Sequence, residues 1–292
     1  MGDKLKGKVA IVTGGGRGLG RAEALALAAE GARVVVNDLG VAHDGSGPRE
    51  RQPADEVVSE IKKRGGEAVA NYDSVATPEG ADNIIRTAIE KFGRLDILVN
   101  NAGIGGEDMS RDISDMPDDL WDVMIKTHLY GTFYTTRAAC RIFRKQKSGR
   151  LIQTSSPSGR GLAGASHYSA AKEGIVGFTR TIAKEMSQYG VTCNAIRPAA
   201  ATRLTPPRKI AGVKRVAPED VAPMVAYLAS DEAQNVSGRV FRVIGGLVQL
   251  ERLENVQSLY SEARWTVDAL AEIFPSTLGQ GLEIPTPTSP PL

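Results

Sequence analysis

Seven short apolar runs rich in β-branched residues, separated by longer stretches with helical periodicity, set the tightest limit on what this chain can fold into. The runs are Val9 to Val12, Val34 to Val36, Ala68 to Tyr72, Leu95 to Val99, Leu151 to Thr154, Val191 to Ile196 and Val240 to Ile244. Each is nearly continuous in its hydrophobicity, as a strand covered on both faces must be. Helical patterns fill the gaps at Leu19 to Glu30, Asp55 to Lys63, Asn83 to Phe92, Trp121 to Phe143, Tyr168 to Tyr189 and Asp220 to Leu228. Alternating strand and helix predicts an α/β fold with a seven-stranded parallel sheet covered on both faces. Gly31, Gly93 and Gly190 each end a helical pattern just before a strand, where a left-handed cap is useful.

A chain of 292 residues, 41% hydrophobic, is somewhat long for one such domain. The alternation stops after Gly246, which predicts a dinucleotide-type domain over residues 1–250 and an extension over 251–292. Residues 250–274 read as helical, with Trp265, Leu270, Ile273 and Phe274 available for packing, while 275–292 are rich in Pro, Thr, Ser and Gly and read as irregular. That tail is expected either to be disordered or to lie across a neighbouring subunit. Residues 40–53 form a polar insertion after the second strand, longer than the usual connection there and without an assigned role.

The net charge of +2 is spread along the chain, so no field argues for nucleic acid or a membrane surface. Partners are expected to be small molecules or copies of the chain. Cys140 and Cys193 sit in apolar stretches without ligand spacing, so buried thiols are expected rather than a disulfide, and no metal site. The first residues pass from a charged lead straight into a strand, and no stretch suits a bilayer. The last three residues are not a Ser-Lys-Leu address. A soluble cytoplasmic protein is the expectation.

Chemistry enters with Thr13-Gly-Gly-Gly-Arg-Gly-Leu-Gly20, set between the first strand and the first helix. Glycines there let the backbone approach a pyrophosphate at a helix N-terminus, where free N–H groups and the helix dipole attract it. Gly14, Gly16, Arg17, Gly18, Leu19 and Gly20 are the candidate phosphate contacts. Asp38 ends the second strand, where a carboxylate accepts from ribose hydroxyls and repels a 2′-phosphate, so NAD is the expected cofactor. Arg17 is the contrary feature, a cation able to meet such a phosphate. Asp73 and Ser74 after the third strand, and Asn101, Ala102 and Gly103 after the fourth, lie at carboxyl ends of strands, where open α/β sheets bind ligands. The Asn100-Asn101 pair either binds cofactor or satisfies backbone groups between strands.

Tyr168 and Lys172 stand four apart in a helical pattern and so share one face. The ammonium can then hold the phenol at a depressed pKa and still reach a bound ribose. Together with the glycine turn, the pair indicates nicotinamide-dependent redox chemistry.

TGGGRGLG, NNAG, Ser156 and YSAAK, in that order over residues 7–250, resemble the short-chain dehydrogenase/reductase family. The resemblance implies a Rossmann-type three-layer sandwich and reversible oxidation of a secondary alcohol. It implies that Tyr168 is the general acid/base, that Lys172 favours the tyrosinate and holds the nicotinamide ribose, and that Ser156 hydrogen-bonds the substrate oxygen. Pro198, at the end of the sixth strand, joins the implied cofactor contacts. The family's Ser-x-x-Gly matches Ser156-Pro-Ser-Gly159, although Ser155 would restore the usual distance to Tyr168. Ser156 is preferred, because a loop shortens more easily than a buried strand changes register. Where the family carries Asn in an Asn-Leu-x-Gly pattern this chain has His128-Leu-Tyr-Gly131, so His128 either replaces the relay, by bonding a water or titrating, or is a core residue.

Val36-Asn-Asp-Leu-Gly40 with its insertion, Ala70-Asn-Tyr-Asp-Ser-Val75, His128, Cys193-Asn-Ala-Ile-Arg-Pro198 and Ala201-Thr-Arg-Leu-Thr205 resemble a (3R)-hydroxyacyl-CoA dehydrogenase branch involved in β-oxidation. That implies a 3-hydroxyacyl-CoA substrate. Arg203, Arg208, Lys209, Lys214 and Arg215 follow the sixth strand and read either as a cationic rim for coenzyme A phosphates or as a solvated charge run. A free hydrophobic alcohol, steroid or terpenoid, is the alternative substrate; a non-catalytic NAD-binding sensor or scaffold is the alternative outside enzymes. An acyl-carrier-protein reductase is opposed by Asp38. The resemblance also implies a homodimer or homotetramer formed through the helices around Trp121 to Phe143 and Tyr168 to Tyr189.

Overall fold

In the computed structural model, residues 2–203, 216–252, 267–278 and 280 are described. Every predicted run forms a strand: β1 Val9–Thr13, β2 Arg33–Asn37, β3 Ala68–Asn71, β4 Ile97–Asn100, β5 Gly149–Thr154, β6 Val191–Ala199 and β7 Val240–Ile244. They pair in parallel in the order β3-β2-β1-β4-β5-β6-β7. An eighth strand, β8 Leu247–Glu251, pairs antiparallel with β7 and extends the sheet beyond the predicted seven parallel strands. The cause is local. Gly245, at φ 54°, and Gly246 form a two-residue turn that brings Ile244 opposite Leu247, and glycine is the residue such a tight hairpin needs.

Helices cover both faces, because residues alternating along each buried strand need partners on both sides. α1 Gly18–Ala29, α2 Gln52–Lys63 and α7 Ala222–Ala229 pack over one face, where Val12, Val34, Val36 and Val99 meet Leu27, Ile61 and Val225. α3 Pro78–Phe92, α5 Gly131–Gln146 and α6 Ser166–Met186 cover the other through Ile11, Val35, Leu98 and Leu151 against Ile84, Phe143 and Met186. Gly93 caps α3 in the left-handed region, as its place before a strand predicts.

The single helical stretch expected over Trp121 to Phe143 is interrupted. α4 Asp118–Ile125 ends in a π-helical turn, Lys126–Tyr130, before α5 begins. Such widened turns are frequent at functional sites, and this one carries His128.

The chain divides into two compact units between Glu251 and Arg252. In the second, α8 Val267–Ile273 runs into a 3-10 turn at Phe274–Ser276. Leu270 and Phe274, expected to pack, are exposed. Trp265 and residues 281–292 lie outside the described residues.

Candidate active site

Strand order reverses between β1 and β4, so the loops leaving their carboxyl ends part and open a groove. Thr13, which sequence reasoning passed over, fastens that point. Its Oγ1 accepts from the backbone N–H groups of Asn101 and Ala102, both at 3.1 Å. The Asn101 amide donates to Thr13 O and Gly14 O at 3.0 and 3.1 Å. Asn100 is instead wholly internal, donating to Thr136 and Gln153 and accepting from Thr135. The Asn pair thus divides into a structural member and a groove member.

The candidate glycines divide as well. Gly14, Arg17, Gly18 and Leu19 line the groove. Gly16 and Gly20 lie behind it and make the tight turn possible. A Cβ on Gly16 would come within 2.7 Å of Pro53 Cβ and 2.8 Å of Asp38 Oδ2, and one on Gly20 would collide with Gly14 O. No side chain caps α1 and no acidic residue occupies its first turn, so its N-terminal dipole is unopposed. This cradle fits a dinucleotide pyrophosphate.

Asp38 is buried, its Oδ2 accepting from Gly16 N at 2.9 Å and its Oδ1 from Gly40 N at 2.8 Å. Each carboxylate oxygen retains a lone pair for a ribose hydroxyl. Asp73 is held by the amides of Asn71 and Asn83 at 2.8 and 3.1 Å and faces the same cavity, as does Ser74, whose Oγ accepts from Ala76 N.

The insertion without an assigned role closes over this groove. Arg17 and Arg203 both donate to Val41 O, at 3.4 and 3.3 Å. Burial, then the neighbouring Arg17 charge, lowers the Arg203 pKa. On the other rim Gly105 N donates to His43 O, and His43 bonds Asp108 at 3.1 Å. The cavity so bordered is about 310 Å³. The remaining cations of the expected basic rim, Arg208, Lys209, Lys214 and Arg215, lie outside the described residues.

A second cavity of about 330 Å³ shares Leu19, Asn101, Gly103 and Thr202 with the first, so the two adjoin. Ser156, Tyr168, Lys172, His128 and Pro198 line it. Contacts distinguish the two candidate serines, both of which border the cavity. Ser155 is buried and donates to Lys172 O at 2.7 Å, which pins α6 to β5. Ser156 opens a 3-10 turn, Pro157–Arg160, accepts from Ser158 N, and hydrogen-bonds Tyr168. Ile104, Met109, Met124 and Leu120 form an apolar wall around the Tyr168 ring.

The Lys172 ammonium donates to Thr154 O at 2.7 Å and lies 5.6 Å from the Tyr168 ring centroid. Burial without a carboxylate partner lowers its pKa to about 7. Burial raises the Tyr168 pKa, against a smaller lowering by Ser156. The depressed phenol expected from the Tyr-Lys spacing is therefore not generated by the protein's own groups. Desolvation outweighs one hydrogen bond at Tyr168, and desolvation also disfavours the Lys172 ammonium.

His128 is buried, with Nε2 2.8 Å from Ile104 O and 3.1 Å from Ile104 N. One tautomer serves only one of these. Nδ1 has no partner. Burial first, and then the Lys172 charge, holds its pKa well below the ordinary histidine value. Both causes favour the neutral imidazole over the titrating one that the sequence left open. Gly103 packs so closely on this ring that a Cβ would collide with it.

The family model for short chain dehydrogenase matches residues 8–209. The chain is 48% identical to the peroxisomal hydratase-dehydrogenase-epimerase of Neurospora crassa over 89% of its own length, but spans only 28% of that protein. It is 38% identical to hydroxyacyl-CoA dehydrogenase ChsB1 of Mycobacterium tuberculosis over 90% of this chain and 84% of that one. A crystal structure of a short chain dehydrogenase from Mycobacterium avium superposes with a TM-score of 0.84 at 45% identity, covering 94% of this chain and 96% of that one. A glycine cradle at the reversal of strand order, opening into a cavity that gathers serine, tyrosine and lysine, thus coincides with a match over most of the chain: the protein belongs to the short-chain dehydrogenase family, oxidoreductases that act on CH–OH groups with NAD(P).

Proposed function

We propose that this protein interconverts a 3-hydroxyacyl-CoA and its 3-ketoacyl counterpart with NAD. The observation that carries the reading is the adjacency of the two cavities, which sets Ser156, Tyr168 and Lys172 beside the glycine cradle. The chemistry that a bound nicotinamide dinucleotide supplies is reversible hydride exchange at the carbinol carbon. Gly14, Arg17, Gly18 and Leu19 would hold its pyrophosphate, Asp38 its adenosine ribose, and Asp73, Ser74, Asn101, Ala102, Gly103 and Pro198 the remaining surfaces.

Tyr168 takes the hydroxyl proton during oxidation and returns it in reduction. Ser156 donates to the same substrate oxygen and stabilises the charge that builds there. Lys172 keeps two N–H donors beyond the one on Thr154 O, available to the cofactor ribose and to the phenolate. His128 stays neutral and fixes the Ile104 backbone. The apolar wall of Ile104, Met109, Met124 and Leu120 suits an acyl chain.

Asp38 supports NAD over NADP, while Arg17 and Arg203 stand nearby as cations that a 2′-phosphate could use. The substrate class is supported by the likeness to a protein named hydroxyacyl-CoA dehydrogenase and to a peroxisomal multifunctional enzyme. A homodimer or homotetramer is part of the proposal. It is supported by the ring cluster of Phe133, Tyr130 and Tyr134 on and beside α5 with Phe178 of α6. A cytoplasmic location is proposed on the two free thiols, Cys140 and Cys193, and cell fractionation tests it.

Initial rates with racemic 3-hydroxyacyl-CoA, free steroid and terpenoid alcohols, and both NAD and NADP test the function, with Tyr168→Phe as control. Turnover of the thioester alone with NAD is the expected result. Turnover of free alcohols alone moves the substrate to the second class, and NAD binding without turnover of any alcohol makes the protein a sensor or scaffold.

A further inference from the structure

We propose that Arg242 determines which substrates the catalytic cavity accepts, by binding an anionic oxygen group, carboxylate or phosphate, carried by the alcohol or ketone. The proposal rests on the functional reading above and adds to it a residue that neither the glycine cradle nor the Ser-Tyr-Lys set contains.

Arg242 lies on β7, in register with Arg197 of β6 and Gln249 of β8. Residues paired across strands project to one face of a sheet. On that face Arg197 donates to Glu173 at 2.6 Å and pairs with Glu251 at 3.2 Å, while Arg160 takes the same Glu251 at 2.8 Å. Three guanidinium groups thus stand with two carboxylates, and both carboxylates are engaged by Arg160 and Arg197. Arg242 forms no hydrogen bond or ion pair with any described residue, and its buried Nε has no acceptor.

A buried N–H left without an acceptor costs free energy that a ligand recovers on binding. Arg242 shares the cavity with Ser156, Tyr168 and Lys172. Ser155 N donates to Ile196 O, and Arg197 with its partner Arg242 stands one residue further along. The base of the Arg242 side chain is therefore two strand spacings, about 10 Å, from the end of β5. A planar guanidinium fork lining the same cavity as Ser156 and Tyr168 reads carboxylate or phosphate oxygens in preference to a neutral group. A free alcohol such as a steroid gives it nothing to bind.

The test uses the full chain, Arg242→Gln and Arg242→Lys. Calorimetry with octanoate, octanamide and free coenzyme A reads binding independently of turnover. Arg242→Gln is expected to weaken octanoate or coenzyme A by about ten-fold, leave octanamide unchanged and lose the anion preference that Arg242→Lys partly keeps. Rates with 3-hydroxybutyrate, 3-hydroxybutyryl-CoA and the neutral methyl ester separate the sources. A raised KM for the free acid alone identifies a carboxylate, and one for the thioester alone identifies the coenzyme A phosphates, with kcat kept in both cases. Equal losses for octanamide and the anions, or no loss for any, overturn the proposal, and Arg242→Lys decides the matter if Arg242→Gln does not fold. If none of the alcohols is turned over while anion binding still depends on Arg242, the function proposed above fails and this site stands.

Discussion

His128 stands edge-on to Tyr168, with ring centroids 5.3 Å apart and ring planes crossed at 84°. The contact exists because the π-helical turn at Lys126–Tyr130 directs the imidazole inward, against Ile104 and Gly103. His128 therefore couples the loop after β4 to the general acid/base. It does so as a neutral group.

Replacing His128 by Leu should lower kcat by about ten-fold or more through a displaced Tyr168 and Ile104, whereas His128→Asn, which keeps a polar partner for Ile104, should retain most of it. The wild-type rate profile should show no limb from a histidine near pH 6.5. Because folding depresses this pKa, the native state binds fewer protons than the unfolded one below about pH 6.5, so stability is lost as pH falls through that range. Denaturant titrations at pH 5 and pH 7 should give a smaller difference for His128→Asn than for wild type.

Tyr168→Phe should reduce kcat by about a thousand-fold or more and leave dinucleotide affinity within about two-fold, since the phenol acts on the proton rather than on cofactor binding. Ser156→Ala should cost about ten- to a hundred-fold, and Ser155→Ala should instead lower Tm by loosening α6 from β5. Comparing kcat with Tm for the two serine variants checks the division of roles.

Asp38→Ala should increase kcat/KM with NADP and decrease it with NAD, because removing the carboxylate removes the repulsion while Arg17 and Arg203 remain. The Gly16 and Gly40 amides lose their acceptor in the same variant, so its Tm should also fall. Asp38→Asn should recover part of the stability without recovering the NAD preference. Steady-state rates with both cofactors decide this.

Glu23 lies fully buried on α1 with neither carboxylate oxygen hydrogen-bonded among the described residues, and burial raises its pKa to about 8. The folded state holds this proton more tightly than the unfolded state, so stability is fully present below about pH 4.5 and is lost as pH rises toward 8. Glu23→Gln should flatten that dependence, gaining on the order of 3 kcal/mol on wild type between pH 5 and pH 8. Urea unfolding across this range is the measurement.

The strands and most helices were legible because a buried parallel strand writes its environment into a continuous apolar run. The glycine turn was legible too, but sequence could not divide its members. Gly16 and Gly20 serve packing behind the turn while Gly14 and Gly18 face the groove, a distinction made only when Pro53, Asp38 and Asn101 close in from distant parts of the chain. β8 was missed although Gly245-Gly246 stands between two apolar runs, a hairpin signal the sequence carries.

Periodicity and residue type therefore determined the layers, the order of elements and the residues capable of phosphate binding and proton transfer, because these depend on spacings of a few residues along one helix or strand. Tertiary structure alone decided that Ser155 pins a helix while Ser156 opens the turn beside the cavity, that residues 40–53 roof the first cavity, that burial holds the His128 pKa down and that Arg242 has no counter-charge among the described residues. Those properties depend on desolvation and on charges brought together from separate strands, and neither quantity is written in any local stretch of sequence.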